Sequence, residues 1–181
     1  MAEQGRKTAS MLTLDAITRR SVNATADSLN YFRDVARTPR FSGSLLRTLR
    51  EIRLSGVESS VLSRGGPAPK DIGILLNQYQ LELADHEFTD LRDRIDVAVE
   101  IASADCHDFS GLPLILLCPA AEHKAQQALL ATLAEKSPSV LGLSLQHEYR
   151  VLEQILQTAP RLLEGNTGTC LQRAQGNLFS T

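Results

Sequence analysis

Tryptophan is absent from this sequence of 181 residues, and aromatic residues of all kinds make up only 4% of it. A core must therefore consist mainly of leucine, isoleucine, valine and alanine, which favours a helix-rich protein over a β-sandwich. The longest apolar run is about ten residues, whereas about 20 are needed to span a bilayer. The first residues carry no apolar stretch of the signal-peptide kind, so we expect a cytoplasmic protein without membrane contact.

Cysteine is scarce and lacks a pattern. Cys106, Cys118 and Cys170 form no C-x-x-C pair and leave an odd count, which argues against a disulfide scaffold and fits a reducing compartment. Among the histidines, only His107 lies in a tight group, Cys106-His107-Asp108. Because residues adjacent in sequence point in different directions, we interpret this group as a surface turn and predict no metal site.

Sequence motifs of catalysis are also missing. "GRKT" at residues 5–8 lacks the spacing of a phosphate-binding loop and no strand precedes it. "GLSLQ" at residues 142–146 lacks the second glycine of a nucleophile elbow. With no convergent polar constellation in view, we do not expect an independent small-molecule enzyme.

Charge is distributed unevenly along the chain. Residues 1–70 hold 12 lysines and arginines against 6 acidic residues, and residues 71–181 hold 7 against 15. This asymmetry indicates either a surface that faces a polyanion or an electrostatic interface inside the protein.

Helical periodicity dominates residues 8–108. The clearest helix is predicted after Thr38 as cap and Pro39 in the first turn, and Gly56 is expected to end it. Its apolar positions recur at three- and four-residue spacing at Phe41, Leu45, Leu49 and Ile52.

The segment "SRGGPAPK" at residues 63–70 is predicted to be a loop and the main internal break. Two further helices are expected after it, the second capped by Thr89 or Asp90. Their inward positions are predicted at Ile72, Leu75, Leu76, Tyr79 and Leu83 in the first, and at Leu91, Ile95, Ala98 and Ile101 or Ala102 in the second.

Residues 109–157 carry a different pattern. Buried strands are predicted at 112–118 and 139–145, with a helix at 121–135 between them and another at 147–157. Two strands joined by a helix form one parallel unit, and a two-stranded sheet is marginal alone. We predict an α/β, predominantly helical fold: a helical subdomain (8–108), a partial β-α-β unit (109–157), and a loose tail with a short helix (158–181).

The strongest local charge feature is a set of arginines. Arg47, Arg50 and Arg53 are expected to form a basic ridge on one helix, with Arg40 and Arg37 just upstream. Such a ridge is typical of phosphate-backbone contact, and DNA is the predicted partner. The alternative is a solvated face paired with acids of the same protein. We interpret the arginines as a basic ridge without interleaved aromatic residues, so base stacking of the single-strand kind is not predicted.

Ordered patterns over residues 12–180 resemble the AddB-type helicase–nucleases, the two-subunit relatives of RecBCD. They also resemble related bacterial proteins that end in a PD-(D/E)XK nuclease domain. "YFRDVARTPRFSGSLLRTLREIRLSGVESSVL" resembles part of their helical 1B-like insertion in the first helicase domain. "LPLILLCPAAEHKAQQALLATLAEKSPSVLGLSL" resembles the strand–helix–strand that returns to the RecA-like core, and "CLQRAQGNLFS" resembles a short segment beyond it.

This resemblance implies an internal segment of a larger ATP-dependent DNA helicase and exonuclease that acts in double-strand-break repair. ATP and Mg²⁺ would bind elsewhere in the parent protein, and no catalytic residue of this chain is implied. Cys118 occupies the Walker B position, where relatives often carry an acid, and we expect a buried thiol there. A thiol cannot replace the oxygen ligands that Mg²⁺ prefers, which implies a degenerate ATPase site.

A second hypothesis remains open: a stand-alone helical module that binds another protein, with the basic ridge matching an acidic partner. If the chain is an excised segment, it is also expected to form a homodimer through apolar faces that its missing neighbours would cover.

Overall fold

The computed structural model describes residues 6–104, 111–145, 149–159 and 161. Over these ranges the chain is mixed α/β and mostly helical, as expected. The strands are β1 (Lys7–Thr8), β2 (Phe88–Thr89), β3 (Leu114–Leu117) and β4 (Val140–Leu143). The α-helices are α1 (Met11–Thr25), α2 (Phe41–Leu54), α3 (Ser59–Leu62), α4 (Pro67–Asp85), α5 (Leu91–Ser103), α6 (Lys124–Lys136) and α7 (Tyr149–Leu156). The cluster at Cys106–Asp108 and the helix expected in the tail lie outside the described residues.

The main core lies between α1, α2 and α4. The inward faces predicted for α2 and α4 are confirmed, since Leu45, Leu49, Leu75, Leu76 and Tyr79 are all buried. They pack together with the apolar face of α1, which contributes Leu14, Ile17 and Val22.

Helix α2 begins later than predicted. The Thr38 hydroxyl donates to the carbonyl of Val35 at 2.7 Å and therefore caps a turn, not the helix. Arg40 stands at the N-cap without a side-chain hydrogen bond. The expected end is confirmed: Gly56, at φ +70°, adopts the left-handed conformation that commonly follows a helix.

The predicted loop at residues 63–70 is wrong over its second half. Pro67 opens α4, because a proline in the first turn costs no intrahelical hydrogen bond. The next predicted cap is confirmed at Asp90, whose carboxylate accepts from the backbone N–H of Arg92 and Asp93 while Asp93 reaches back to the N–H of Asp90.

The sequence patterns do not predict a short parallel pair that involves the start of the described chain. Lys7 and Thr8 of β1 pair with Phe88 and Thr89 of β2. A strand of two residues is too short to show the alternation of apolar and polar residues that predicts a strand. Only its pairing with a distant segment defines β1 as a strand.

The predicted β-α-β unit is confirmed as a parallel pair in which Leu114 to Leu117 stand beside Val140 to Leu143. The predicted burial of both strands is wrong, because Ile115, Leu117 and Leu141 point away from the helices that cover the other side and are exposed. Leu116 packs under α7 against Leu152 and Ile155. A separate apolar cluster of Leu54, Ile95 and Ala125 joins α2 and α5 to α6. The helical and β-α-β regions therefore share buried contacts.

A buried carboxylate holds the connector between α1 and α2, which we define as residues 30–40. Asp71 on α4 is 2% exposed. Its carboxylate accepts hydrogen bonds from three consecutive backbone N–H groups, those of Asn30 (3.0 Å), Tyr31 (2.7 Å) and Phe32 (2.9 Å). A buried charge requires such partners, and these backbone donors would otherwise stay unsatisfied. Asp71 thus fixes the start of the connector against α4.

Asp71→Asn is expected to lower the free energy of unfolding by about 1.5–3 kcal/mol, the range for hydrogen bonds to a charged group. The amide of asparagine keeps one acceptor oxygen, but its NH₂ group is a donor and cannot accept a hydrogen bond from the backbone N–H groups that face it. Urea unfolding measures the change. Asp85→Asn, at the exposed end of the same helix, is the matched control; equal losses for both variants would contradict the role given to Asp71.

Candidate nucleic-acid interface

Four of the five predicted arginines lie in one stretch of chain. Arg37 and Arg40 belong to the connector, and Arg47 and Arg50 lie on α2. Arg50 is half-buried and the other three are exposed. We call these four residues the basic surface.

Arg40 and Arg47 lie on the same side of α2. Seven residues correspond to nearly two helical turns, a separation of about 10 Å along the axis. No acidic side chain of the described ranges lies within ion-pair distance of either guanidinium. Gly43 lies between them, and a methyl group added there would meet no atom within 4 Å. Two unpaired positive charges thus flank an open patch of helix.

The positive charge of Arg37 is partly neutralised by an ion pair with Asp27. Its Nη2 lies 3.2 Å from Asp27 Oδ1 in an ion pair whose two side chains are largely exposed. Arg33 donates to the backbone carbonyl of the same Asp27 at 3.1 Å. An exposed ion pair of this kind contributes little free energy, so the Arg37 guanidinium can exchange Asp27 for another anion.

Two neighbours limit the positive potential of the basic surface. Arg50 Nη1 contacts the sulfur of Met11 at 3.5 Å, which holds this side chain toward α1. Glu51 is exposed one turn after Arg47 on α2 and adds a negative charge to the same side of the helix. The surface therefore favours single phosphate contacts over a dense anion-binding groove.

An exposed aromatic ring lies in the connector that also carries Arg37 and Arg40. Tyr31 is exposed at the start of the connector and stands edge-on to Phe32, with ring centroids 4.9 Å apart. Phe32 in turn contacts Phe41 at the start of α2. The signal was present in the sequence, because Tyr31 and Phe32 directly precede Arg33.

Arg53 does not belong to the basic surface, and the predicted ridge is wrong at this residue. Its side chain is 8% exposed, with Nε 2.8 Å from Asp90 Oδ2 and Nη2 2.6 Å from Asp93 Oδ1. A step of three residues turns 300° around a helix, so Arg53 lies about 120° away from Arg47. That rotation carries Arg53 from the solvent side to the side that packs on α5.

The ion pairs of Arg53 form the centre of a network that joins α2, α4 and α5. The hydroxyl of Tyr79 lies 3.5 Å from Asp90 Oδ2, and Arg92 Nη1 donates to the backbone carbonyl of Arg53 at 3.1 Å. Two carboxylates and one guanidinium thus meet at the N-terminus of α5, where the helix dipole also favours negative charge.

Burial and neighbouring charges shift the protonation equilibria of this network. Burial raises the pKa of Tyr79, and the nearby Asp90 raises it further. Burial also raises the pKa of Asp93, against the opposing effect of Arg53. For Arg53, burial opposes the charge, but Asp90 and Asp93 outweigh it and raise the pKa of the guanidinium. Tyr79 therefore remains a neutral phenol and Arg53 a cation at neutral pH.

A polar cleft of about 430 Å³ opens beside this network. Its lining mixes both signs of charge, with Arg53 and Arg92 facing Glu58, Asp93 and Asp96. Since the carboxylates outnumber the guanidinium groups, the cleft is poorly suited to phosphate, and we do not include it in the nucleic-acid interface.

Cys118 is exposed, and the prediction of a buried thiol is wrong. The residue follows β3 in a left-handed conformation, at φ +43°. Its N–H donates to the carbonyl of Leu143 at 2.7 Å, so the backbone continues the ladder while the side chain points to solvent. The position offers sulfur and no oxygen ligand, so it does not fit Mg²⁺.

No protein-family model matches this chain, and no curated protein is similar to it. Across the described residues, no three His, Cys, Asp or Glu side chains converge as metal ligands. None of the helices in those ranges combines the length and apolar character needed to cross a membrane.

Arg53→Met is expected to lower the free energy of unfolding by about 3–5 kcal/mol, because it leaves Asp90 buried without its positive partner. Arg47→Met, on the exposed side of the same helix, is expected to change it by less than about 0.5 kcal/mol. Thermal and urea unfolding of both variants measure the difference. Similar stability of the two variants would contradict the burial assigned to Arg53.

Alkaline pH is expected to destabilise the protein through Tyr79. Its pKa is raised in the folded state from the usual 10.0, so the folded state keeps a proton that the unfolded state releases. The resulting stabilisation is complete below about pH 10 and declines above it, by up to about 1.4 kcal/mol per pH unit. Urea unfolding at increasing alkaline pH should show a steeper decline for the wild type than for Tyr79→Phe. Parallel curves would contradict this contribution.

Proposed function

We propose that this chain contacts DNA phosphates through the basic surface, as a non-catalytic segment of an ATP-dependent helicase–nuclease that processes double-strand breaks. The observation that carries the proposal is the pair of Arg40, at the N-cap of α2, and Arg47, about two turns further on α2. Both are exposed and have no acidic partner in the described chain. Guanidinium groups bind phosphate oxygens well, and contacts of this kind position a duplex without reading its sequence.

The order of the elements supports the larger setting. In this proposal helices α1 to α5 correspond to the 1B-like subdomain that the resemblance to AddB-type proteins implies, and β3-α6-β4 corresponds to part of a RecA-like core. The parallel pairing of β3 and β4 suits that interpretation. In this proposal the remainder of the helicase–nuclease, or a partner subunit, would complete the sheet.

Catalysis is not assigned to any residue of this chain. Cys118 lacks the oxygen ligand required beside Mg²⁺, so ATP and Mg²⁺ would be bound by other parts of the parent protein. Arg53 is assigned to the internal network. The role proposed for the chain is to hold DNA and to act as scaffold.

One observation favours a second function, a stand-alone module that binds another protein. Ile115, Leu117 and Leu141 expose their side chains on one side of the β3–β4 sheet. Exposed apolar residues grouped in this way are typical of protein interaction surfaces. An open reading frame that continues beyond both ends of this chain would favour the helicase–nuclease.

The DNA contact is tested by fluorescence anisotropy with a short labelled duplex over a salt series. Each phosphate contact contributes about 0.9 to the slope of log K against log salt concentration. Arg40→Ala combined with Arg47→Ala should therefore weaken binding at low salt and reduce the slope by about 2.

The matched control removes two other exposed arginines, Arg94 on α5 and Arg150 on α7. Arg94→Ala combined with Arg150→Ala changes the net charge equally and should leave most of the affinity and the slope intact. The DNA proposal fails if the wild type does not bind at low salt, or if the two double variants lose affinity to the same extent.

A further inference from the structure

Tyr31 is the most exposed aromatic side chain among the described residues. It is 63% exposed, and the next is Tyr149 on α7, at 36%. Aromatic residues are only 4% of the sequence, and a ring with an apolar body and a polar hydroxyl is typical of a binding surface. The position of this ring in solvent therefore suggests a contact with a ligand.

The backbone and the surroundings of Tyr31 hold the ring in place. The N–H of Tyr31 donates to the carboxylate of Asp71 at 2.7 Å, between the parallel donations of Asn30 and Phe32. The Phe32 ring stands edge-on to the Tyr31 ring, at an interplanar angle of 86°. Tyrosine also has only two side-chain torsions to fix, so a ligand that contacts this ring orders few groups.

Contacts between rings connect Tyr31 with the basic surface. Phe32 contacts Tyr31 and also Phe41, at 4.9 Å and 5.5 Å between ring centroids. Phe41 is the first residue of α2 and directly follows Arg40. Arg33 adds a further cation beside the rings in sequence, since its guanidinium donates to a backbone carbonyl and has no acidic partner in the described ranges. An exposed ring and positive charges thus occur together here.

We propose that the basic surface binds single-stranded DNA, with an unpaired base stacked on Tyr31 and neighbouring phosphates on Arg40 and Arg47. This inference rests on the proposed DNA contact and narrows it to one form of DNA. Inside a duplex the faces of each base are covered by the neighbouring base pairs, so a ring on the protein surface finds no base to contact. An unpaired base has a free face that can stack on the ring.

Stacking and phosphate contact leave different signatures in a salt series. Each phosphate contact on a single strand contributes about 0.7 to the slope of log K against log salt concentration, because counterions are released. Stacking releases no counterions and raises the affinity by about 5- to 100-fold per base. Removal of Tyr31 should therefore lower the affinity at every salt concentration and leave the slope unchanged.

Fluorescence anisotropy of the full chain tests the stacking with two labelled oligomers. One is an oligothymidylate of about 12 nucleotides, within the usual range of single-strand site sizes, and the other is an abasic oligomer of the same length and charge. The wild type should bind the oligothymidylate about 5- to 100-fold more tightly, and Tyr31→Ala should abolish this preference. Tyr149→Ala is the matched control and should retain it. Equal affinity of the wild type for both oligomers, or a preference that survives in Tyr31→Ala, would overturn the proposal.

The absence of tryptophan from the chain allows a direct optical test. Tyr31→Trp introduces a single tryptophan at the proposed stacking position, and its emission should be quenched by the oligothymidylate and not by the abasic oligomer. Tyr149→Trp should show no quenching with either. Unchanged emission of Tyr31→Trp while anisotropy reports saturated binding of the oligothymidylate would overturn the stacking.

The stacking and the phosphate contact can fail separately. Arg40→Ala combined with Arg47→Ala should reduce the salt slope for the oligothymidylate by about 1.4, whereas Tyr31→Ala should not change it. A wild type that binds the duplex and both oligomers, without preference for bases, would overturn the stacking and leave the phosphate contact standing. A wild type that binds none of the three at low salt would overturn both.

Discussion

The buried ion pairs of Arg53 are the interaction on which the rest of this structure depends. A guanidinium removed from water must be paired, and Asp90 and Asp93 provide that pairing at the N-terminus of α5. The geometry fixes the rotation of α2 about its axis. Once Arg53 faces α5, Arg40 and Arg47 must face solvent, because each residue advances the helix by about 100°. An internal electrostatic contact thereby determines which charges remain on the surface.

A third carboxylate, that of Asp71, completes this arrangement. Asp71 holds the start of the connector through three backbone N–H groups, while Arg53 holds the far end of α2. Arg40 and Arg47 therefore lie between two fixed points. Groups held in this way lose less conformational entropy when they meet a ligand, which favours binding by preorganisation. The carboxylates at both fixed points, Asp71 at one and Asp90 and Asp93 at the other, lie in the acidic second part of the sequence. The charge asymmetry along the chain therefore reflects in part an electrostatic interface inside the protein.

Sequence periodicity correctly predicted the structural features that residues close together in the chain determine. The buried positions of α4, the cap at Asp90 and the parallel β3–β4 pair were all accessible, because apolar spacing and capping chemistry act within a few residues. The errors concern relations between distant residues. The burial of Arg53 requires carboxylates 37 and 40 residues away, and β1 exists only through its pairing with β2. Cys118 was expected inside an apolar strand, but the strand ends one residue earlier and the chain turns there.

The number of free charges sets the strength of any DNA contact. Within the basic surface, Arg37 pairs with Asp27 and Arg50 contacts the sulfur of Met11, which leaves Arg40 and Arg47 as its unpaired members. Two phosphate contacts give weak binding that salt readily suppresses. Such a surface is useful only when something else raises its effective concentration near DNA. A larger parent protein would do so, since linking weak sites increases avidity by orders of magnitude without any new contact. The proposed DNA contact therefore carries one physical requirement: the basic surface must act together with other DNA contacts.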